Sequence, residues 1–301
     1  MANSKPITLV IDLDKCAALG ADTNDILRVI LTMYPHASAA MRQELEAVGR
    51  AIINPRMVEA LKAIARSAPD FRLVAYTKKS NPFRVLRRQG VKPPVIHRGT
   101  MHFAADALAS GPDYLCKQCP TTDEQRRSYN ELLRIGILTQ AMAAVLGRDT
   151  APAVYVTENK KDLRPLAAHL GVCPSTLFLF DDSAQKHIDL LVPEIRASGK
   201  SDEDIEREIQ QLHMIAVEEY DFTSNDPVHA EDLRRVLEAH FPVKGLKDAN
   251  PTLYSEILHD PKWPVHNRCI DADENWVVHY PGVRAPVAEW NIAPVLEALS
   301  M

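Results

Sequence analysis

The sequence has no run of about 20 uninterrupted apolar residues, the length a helix needs to cross a bilayer. Its opening, MANSKPITLV, carries no signal-peptide hydrophobic region ahead of the first apolar stretch, so export by that route is not expected. Cysteine is scarce. The five in 301 residues (Cys16, Cys116, Cys119, Cys173 and Cys269) are odd in number and scattered, which argues against a secreted disulfide framework and for a reducing compartment. An excess of either charge is missing too: 35 basic residues face 40 acidic ones, net -5, so nothing global points to direct nucleic-acid binding, although local basic patches stay open. No Gly-x-Gly-x-x-Gly follows the first apolar run, leaving a dinucleotide site without support, and there is no internal repeat or low-complexity tract. These absences lead us to expect a cytoplasmic protein with no membrane partner, though a protein exported without an N-terminal signal would read the same.

What is present is an ordinary globular composition, 46% hydrophobic and 25% charged, long enough to bury a sizeable core. Short apolar runs at ITLVIDL, FRLVAYT, AVYVT, TLFLFD and, less clearly, HMIAV read as buried strands, with helix-period segments between most of them. That alternation predicts an α/β fold: a Rossmann-like parallel sheet flanked by helices. NPRMVEALKAIARSA places Met57, Leu61, Ile64 and Ala65 on one helical face with Pro55 near its start. Residues 17–52, and residues 90–150 with the amphipathic run SYNELLRIGILTQAMAAVL, fall outside simple alternation and read as insertions. SGKSDEDIEREIQQL has a Ser-x-x-Asp capping signature ahead of a charged, solvated helix. From about Pro242 the pattern gives way to Pro- and His-containing turns with Trp263, Trp276 and Trp290, so 1–241 reads as the main domain and 242–301 as an extension anchored on it by its aromatics.

The first apolar run ends in two acids, Asp12 and Asp14. Residues i and i+2 of a strand share a face, so both carboxylates point together while Leu13 turns to the core. In open parallel sheets the reactive crevice lies beyond the carboxyl ends of the strands. Other strands end there in Thr77 and in Asp181 and Asp182, and Lys161 in VTENKKDL opens a helix after another strand. Clustered acids repel unless cations share the site, and hard carboxylate oxygens suit Mg²⁺. The pattern predicts a metal-assisted, anion-binding centre.

An Asp-x-Asp after strand one, a Thr after strand two, a Lys ahead of a helix and an Asp-Asp after a later strand resemble the four motifs of the haloacid dehalogenase superfamily of phosphohydrolases. KDLRPL followed by TLFLFDDSAQKH, and the later HMIAVEEYDFTSNDPVHAEDLRRVLEAHF, are similar to the branch that acts on the RNA polymerase C-terminal domain. The likeness covers roughly residues 7–16, 53–89, 153–187 and 213–241. It implies that Asp12 attacks phosphorus and carries an aspartyl-phosphate, and that Asp14 protonates the leaving oxygen and then takes a proton from water. Thr77 would hydrogen-bond a phosphoryl oxygen, and Lys161 would neutralise developing charge. Mg²⁺ would be held by the Asp12 carboxylate, the Asp14 backbone carbonyl and the Asp182 side chain, with Asp181 close by. Three positions depart from the pattern: Cys16 replaces the usual Thr or Val, Asp182 the branch's common Asn, and Ala184 its Pro. A thiol is a weak hydrogen-bond partner, so slower phospho-enzyme hydrolysis is expected.

The resemblance implies a phosphorylated substrate, with a phosphoprotein favoured and a small phosphate ester open, since residues 17–52 fall where relatives carry lids. A phosphotransferase, or a catalytically weak module that binds phosphoproteins, would use the same residues. Lys160 competes with Lys161, and the Lys-Asp-Leu spacing favours the latter. Cys116 and Cys119 form CKQC, half of a zinc or redox site, but no second pair follows at ligand spacing, and only His97 and His102 lie upstream. They read as loop cysteines, and Cys16 as a packing residue. Lys78, Lys79, Arg84, Arg87 and Arg88 sketch a basic rim or a solvated helix face, and none of the eleven histidines is assigned a role.

Overall fold

The structure is a computed structural model that describes residues 7–18, 47, 49–78, 95–96, 100–103, 123–157, 160–220, 248, 251, 255 and 289–300. Strand β1 (Thr8–Ile11) lies at its centre, paired in parallel with β2 (Arg72–Thr77) on one side and β6 (Leu177–Asp181) on the other. Beyond β2 lies β5 (Ala153–Val156) and beyond β6 lies β7 (His213–Ala216), both parallel to their neighbours. These are the expected strands, and the α/β class is as expected. Continuous apolar runs suit them because both sheet faces are covered.

Two further strands were not anticipated. β4 (Thr100–Phe103) adds antiparallel to β5, and β3 (Val95–Ile96) antiparallel to β4, giving the order β3-β4-β5-β2-β1-β6-β7. Part of the 90–150 insertion therefore extends the sheet rather than sitting on it.

Alternating strand residues sort into two cores. Leu9, Ile11, Ala75, Val154, Phe178 and Phe180 face helix α1 (Pro55–Ser67) and helix α2 (Asp123–Val145), whose Met57, Leu61, Ile64, Ile135, Leu138 and Met142 are buried against them. Val10, Val74, Tyr76, Tyr155 and Leu179 face α3 (Leu163–Leu170), α4 (Ala184–Ala197) and α5 (Asp202–Gln210) through Leu163, Leu166, Leu191, Ile195 and Ile205. Helix α2, read from sequence as insertion, thus forms part of the main core. At Gly49 an added Cβ would sit 2.8 Å from Ile137 Cγ2 and 3.3 Å from Ala141 Cβ, so the end of the 17–52 segment packs backbone-close on α2.

The local signals behave as their chemistry dictates. Asn54 caps α1 by accepting from the Arg56 N–H, Asp162 caps α3 through the Arg164 N–H, and the Ser201 hydroxyl caps α5 through the Asp204 N–H at 3.2 Å. Gly171 ends α3 at φ 68°, the left-handed conformation that favours glycine. In the C-terminal region, α6 (Ala293–Ser300) buries Val295, and Trp290 stacks on Phe180 with centroids 4.8 Å apart. Trp263 and Trp276 lie outside the described residues. No helix among the described residues is long and apolar enough to cross a membrane.

Candidate functional site

The chain runs from β1 to β2 and β5 on one side, then crosses to β6 on the other, so the strand order reverses between β1 and β6. Such switch points leave a crevice at the carboxyl ends of the strands, because the connecting segments diverge to either side. Asp12, Thr77, Asp181 and Asp182 all lie at that end.

Asp12 continues the ladder, its N–H donating to the Phe180 carbonyl at 3.0 Å. The chain then coils tightly. Ala17 N–H donates to Asp12 O at 3.1 Å and Ala18 N–H to Leu13 O at 2.9 Å, with Lys15 at φ 60° between them. A non-glycine residue in the left-handed region needs outside support, and Lys15 has it from the Tyr220 N–H on its carbonyl at 2.6 Å and from Glu219 on its ammonium at 2.9 Å. Buried Asn54 staples the coil to α1: its side-chain amide donates to Cys16 O at 2.9 Å and its backbone N–H to Ala17 O at 2.9 Å. Cys16 is itself buried, with Sγ 3.3 Å from the Phe180 carbonyl, and burial followed by Asp12 pushes its thiol well above the usual range. A protonated, enclosed thiol fits a packing residue.

Lys161 reaches the crevice from the loop after β5. The Thr157 N–H donates to Thr77 O at 3.0 Å, and its hydroxyl donates to the Lys160 carbonyl at 3.1 Å. Lys160 pairs with Glu194 on α4, whereas Lys161, 2% exposed, contacts Asp12 Oδ1 and donates to Asp181 Oδ2 at 2.6 Å. Thr77 is buried at the end of β2. Asp181 also accepts from the Ser183 N–H at 2.6 Å, and Asp182 from the Ser183 hydroxyl at 3.2 Å. Oxygens of Asp12, Asp181 and Asp182 lie within 4.8 Å of one another.

Three carboxylates and one ammonium in a buried crevice cannot all ionise without cost. Burial, with Asp181 and Asp14 adding to it and Lys161 opposing, pushes Asp12 from about 3.8 up to about 8. Burial and neighbouring Asp181 raise Asp182 as well. Burial works to raise Asp181, but His187 and Lys161 hold it well below the usual carboxylate range. Burial likewise works against the Lys161 ammonium, and Asp12 and Asp181 hold it protonated. The hard oxygen donors of Asp12 and Asp182 fit a divalent cation such as Mg²⁺, whose charge would favour the ionised forms that burial disfavours.

Two residues missed in the sequence join this group. Arg134, on α2 and 1% exposed, places Nη1 3.1 Å from Asp14 Oδ1; it is a charge inside the apolar run ELLRIGILTQAM, the one signal available beforehand. His187, in the first turns of α4, puts Nε2 3.5 Å from Asp181 Oδ2, and its Nδ1 accepts from the Lys161 N–H at 3.4 Å. His187, to which the sequence assigned no role, thus contacts both members of the Lys161–Asp181 pair.

Lys78 is largely exposed; partial desolvation, then the charges of Lys186 and Lys161, moves its ammonium pKa down. Lys79, Arg84, Arg87, Arg88, Cys116, Cys119 and His97 lie outside the described residues, as does the His102 side chain. No family model, curated protein or solved structure matches the chain.

Proposed function

We propose that the chain is a Mg²⁺-dependent phosphomonoester hydrolase of the haloacid dehalogenase type, working through an aspartyl-phosphate in the cytoplasm. The observation that carries the reading is the Lys161 ammonium held between Asp12 and Asp181, with Asp182 beside them, at the strand-end crevice where the order of the sheet reverses.

An Asp12 oxygen forms the bond to phosphorus as the bond from phosphorus to the leaving oxygen breaks, and Asp14 gives that oxygen its proton. Water then attacks phosphorus, its proton passes to Asp14, and phosphate leaves with Asp12 restored. Thr77 hydrogen-bonds a phosphoryl oxygen, and Lys161 balances the negative charge on Asp12 and on the transferring group. Asp12, Asp182 and the Asp14 backbone carbonyl, with Asp181 nearby, would hold Mg²⁺. Bound there, the metal supplies electrostatic stabilisation of the phosphoryl oxygens.

Sequence likeness to the polymerase-tail branch favours a phosphoprotein over a small phosphate ester as substrate. Acid quench during turnover of a labelled ester is expected to leave covalent label on the wild-type chain and none on Asp12→Asn. Phosphopeptides are expected to outcompete sugar phosphates in kcat/KM. No covalent label from any ester, together with tight phosphopeptide binding, would instead identify a binding module.

A further inference from the structure

The expected general acid–base, Asp14, emerges beyond the end of β1 with its side chain 23% exposed, and strand packing alone does not fix its rotamer. Its carboxylate meets Arg134, which is enclosed by protein at 1% side-chain exposure and stands 3.1 Å from Oδ1. Arg134 cannot drift with solvent. The residues that follow it on α2 (Ile135, Ile137, Leu138, Ala141 and Met142) are buried, and Gly49 packs backbone-close on Ile137. A buried guanidinium without a charged partner is costly, so placing this one opposite Asp14 constrains both groups.

We propose that Arg134 is a positioning residue: it aims the Asp14 carboxylate at the leaving-group oxygen. The ion pair sets the position of the Asp14 carboxylate that gives and takes the proton. Arginine suits this work because its guanidinium is held rigidly among buried side chains and sets where its charge meets the carboxylate, whereas an ammonium on a flexible stem at the same position would not hold that place. Helix α2 then has a second use besides filling the core, since it sets the acid–base geometry from outside the motifs that carry the chemistry. The inference rests on the phosphohydrolase reading above.

An ion pair that only anchors α2 and one that aims Asp14 differ in their dependence on the leaving group. Protonation matters greatly for an alkoxide and little for p-nitrophenolate, which leaves readily as an anion. kcat/KM, which reports the steps through phospho-enzyme formation, is therefore measured with Mg²⁺ for an alkyl phosphate and for p-nitrophenyl phosphate on wild type, Arg134→Met and Arg134→Lys. Misaimed catalytic groups typically cost about 10- to 100-fold. A loss of that size is expected on the alkyl ester for both variants, with p-nitrophenyl phosphate reduced by only about a tenth as much. Arg134→Lys keeps the buried charge, so it serves if Arg134→Met fails to fold, and thermal melts give the folded fraction of each. Equal losses on the two esters, or none, in folded variants overturn this inference and leave the phosphohydrolase reading standing. A wild-type chain that hydrolyses neither ester overturns both.

Discussion

Lys161 donates to Asp181 Oδ2 at 2.6 Å with both side chains enclosed by protein, and the same ammonium contacts Asp12. One lysine therefore holds together carboxylates that arrive from opposite sides of the switch point. Breaking a buried ion pair by removing one partner costs about 3–5 kcal/mol, because the charge left behind is uncompensated. Lys161→Met is expected to lower the unfolding free energy by about that amount in urea titrations and to abolish turnover. An unchanged urea midpoint would show that the ammonium is not buried as described.

The metal-free chain is expected to lose stability as pH rises. Asp12 has an ordinary value near 3.8 in the unfolded chain and about 8 in the folded one, because burial disfavours its charge. The folded chain keeps a proton that the unfolded chain releases, so this contribution is complete below about pH 4 and is lost as pH climbs through about 8. Thermal melts in EDTA across that window should show a falling Tm for wild type and a flatter profile for Asp12→Asn. Added Mg²⁺, which favours ionised Asp12, should flatten the wild-type profile too.

On the far side of the sheet the sign reverses. Lys200 first, then Arg164 at 2.7 Å, holds Glu208 below its ordinary value. A carboxylate depressed in the folded state contributes stability above its unfolded value, near 4.5, and loses it as pH falls. Glu208→Gln should therefore be less stable than wild type at neutral pH, by no more than about 1 kcal/mol for so exposed a network, with the difference vanishing in acid. A difference that persists at low pH would mean that packing, not charge, is what Glu208 supplies.

Gly49→Ala tests the packing that carries Arg134. The new Cβ would fall 2.8 Å from Ile137 Cγ2, a methyl on a β-branched side chain with little rotamer freedom. Overpacking of this kind costs about 1–3 kcal/mol. Denaturant titration should show that loss, and an unchanged midpoint would place Gly49 elsewhere.

The centre of the fold was legible in the sequence because β1, β2, β5 and β6 are covered on both faces and read as continuous apolar runs. β7 was fainter: it is the edge strand, and its His213 and Met214 are only half-buried. β3 and β4 left no trace, since strands as short as Val95–Ile96 and Thr100–Phe103 pair only because the β5 edge is open to them. At the site, Asp12, Thr77, Asp181 and Asp182 were legible by their strand-end positions, and Lys161 by its place ahead of a helix. Arg134 and His187 were not, because what brings them in is tertiary: a helix packed on one face of the sheet, and a first-turn side chain folding back on its own strand. Lys161 was separated from Lys160 beforehand only by spacing, whereas in the structure the Thr157 hydroxyl on the Lys160 carbonyl accompanies the divergence of the two side chains.

The most direct test of the central claim is hydrolysis of p-nitrophenyl phosphate by the full chain with Mg²⁺, with EDTA, and by Asp12→Asn. The account predicts turnover that requires the metal and disappears in the variant. Turnover that survives EDTA, or an Asp12→Asn chain as active as wild type, would contradict it.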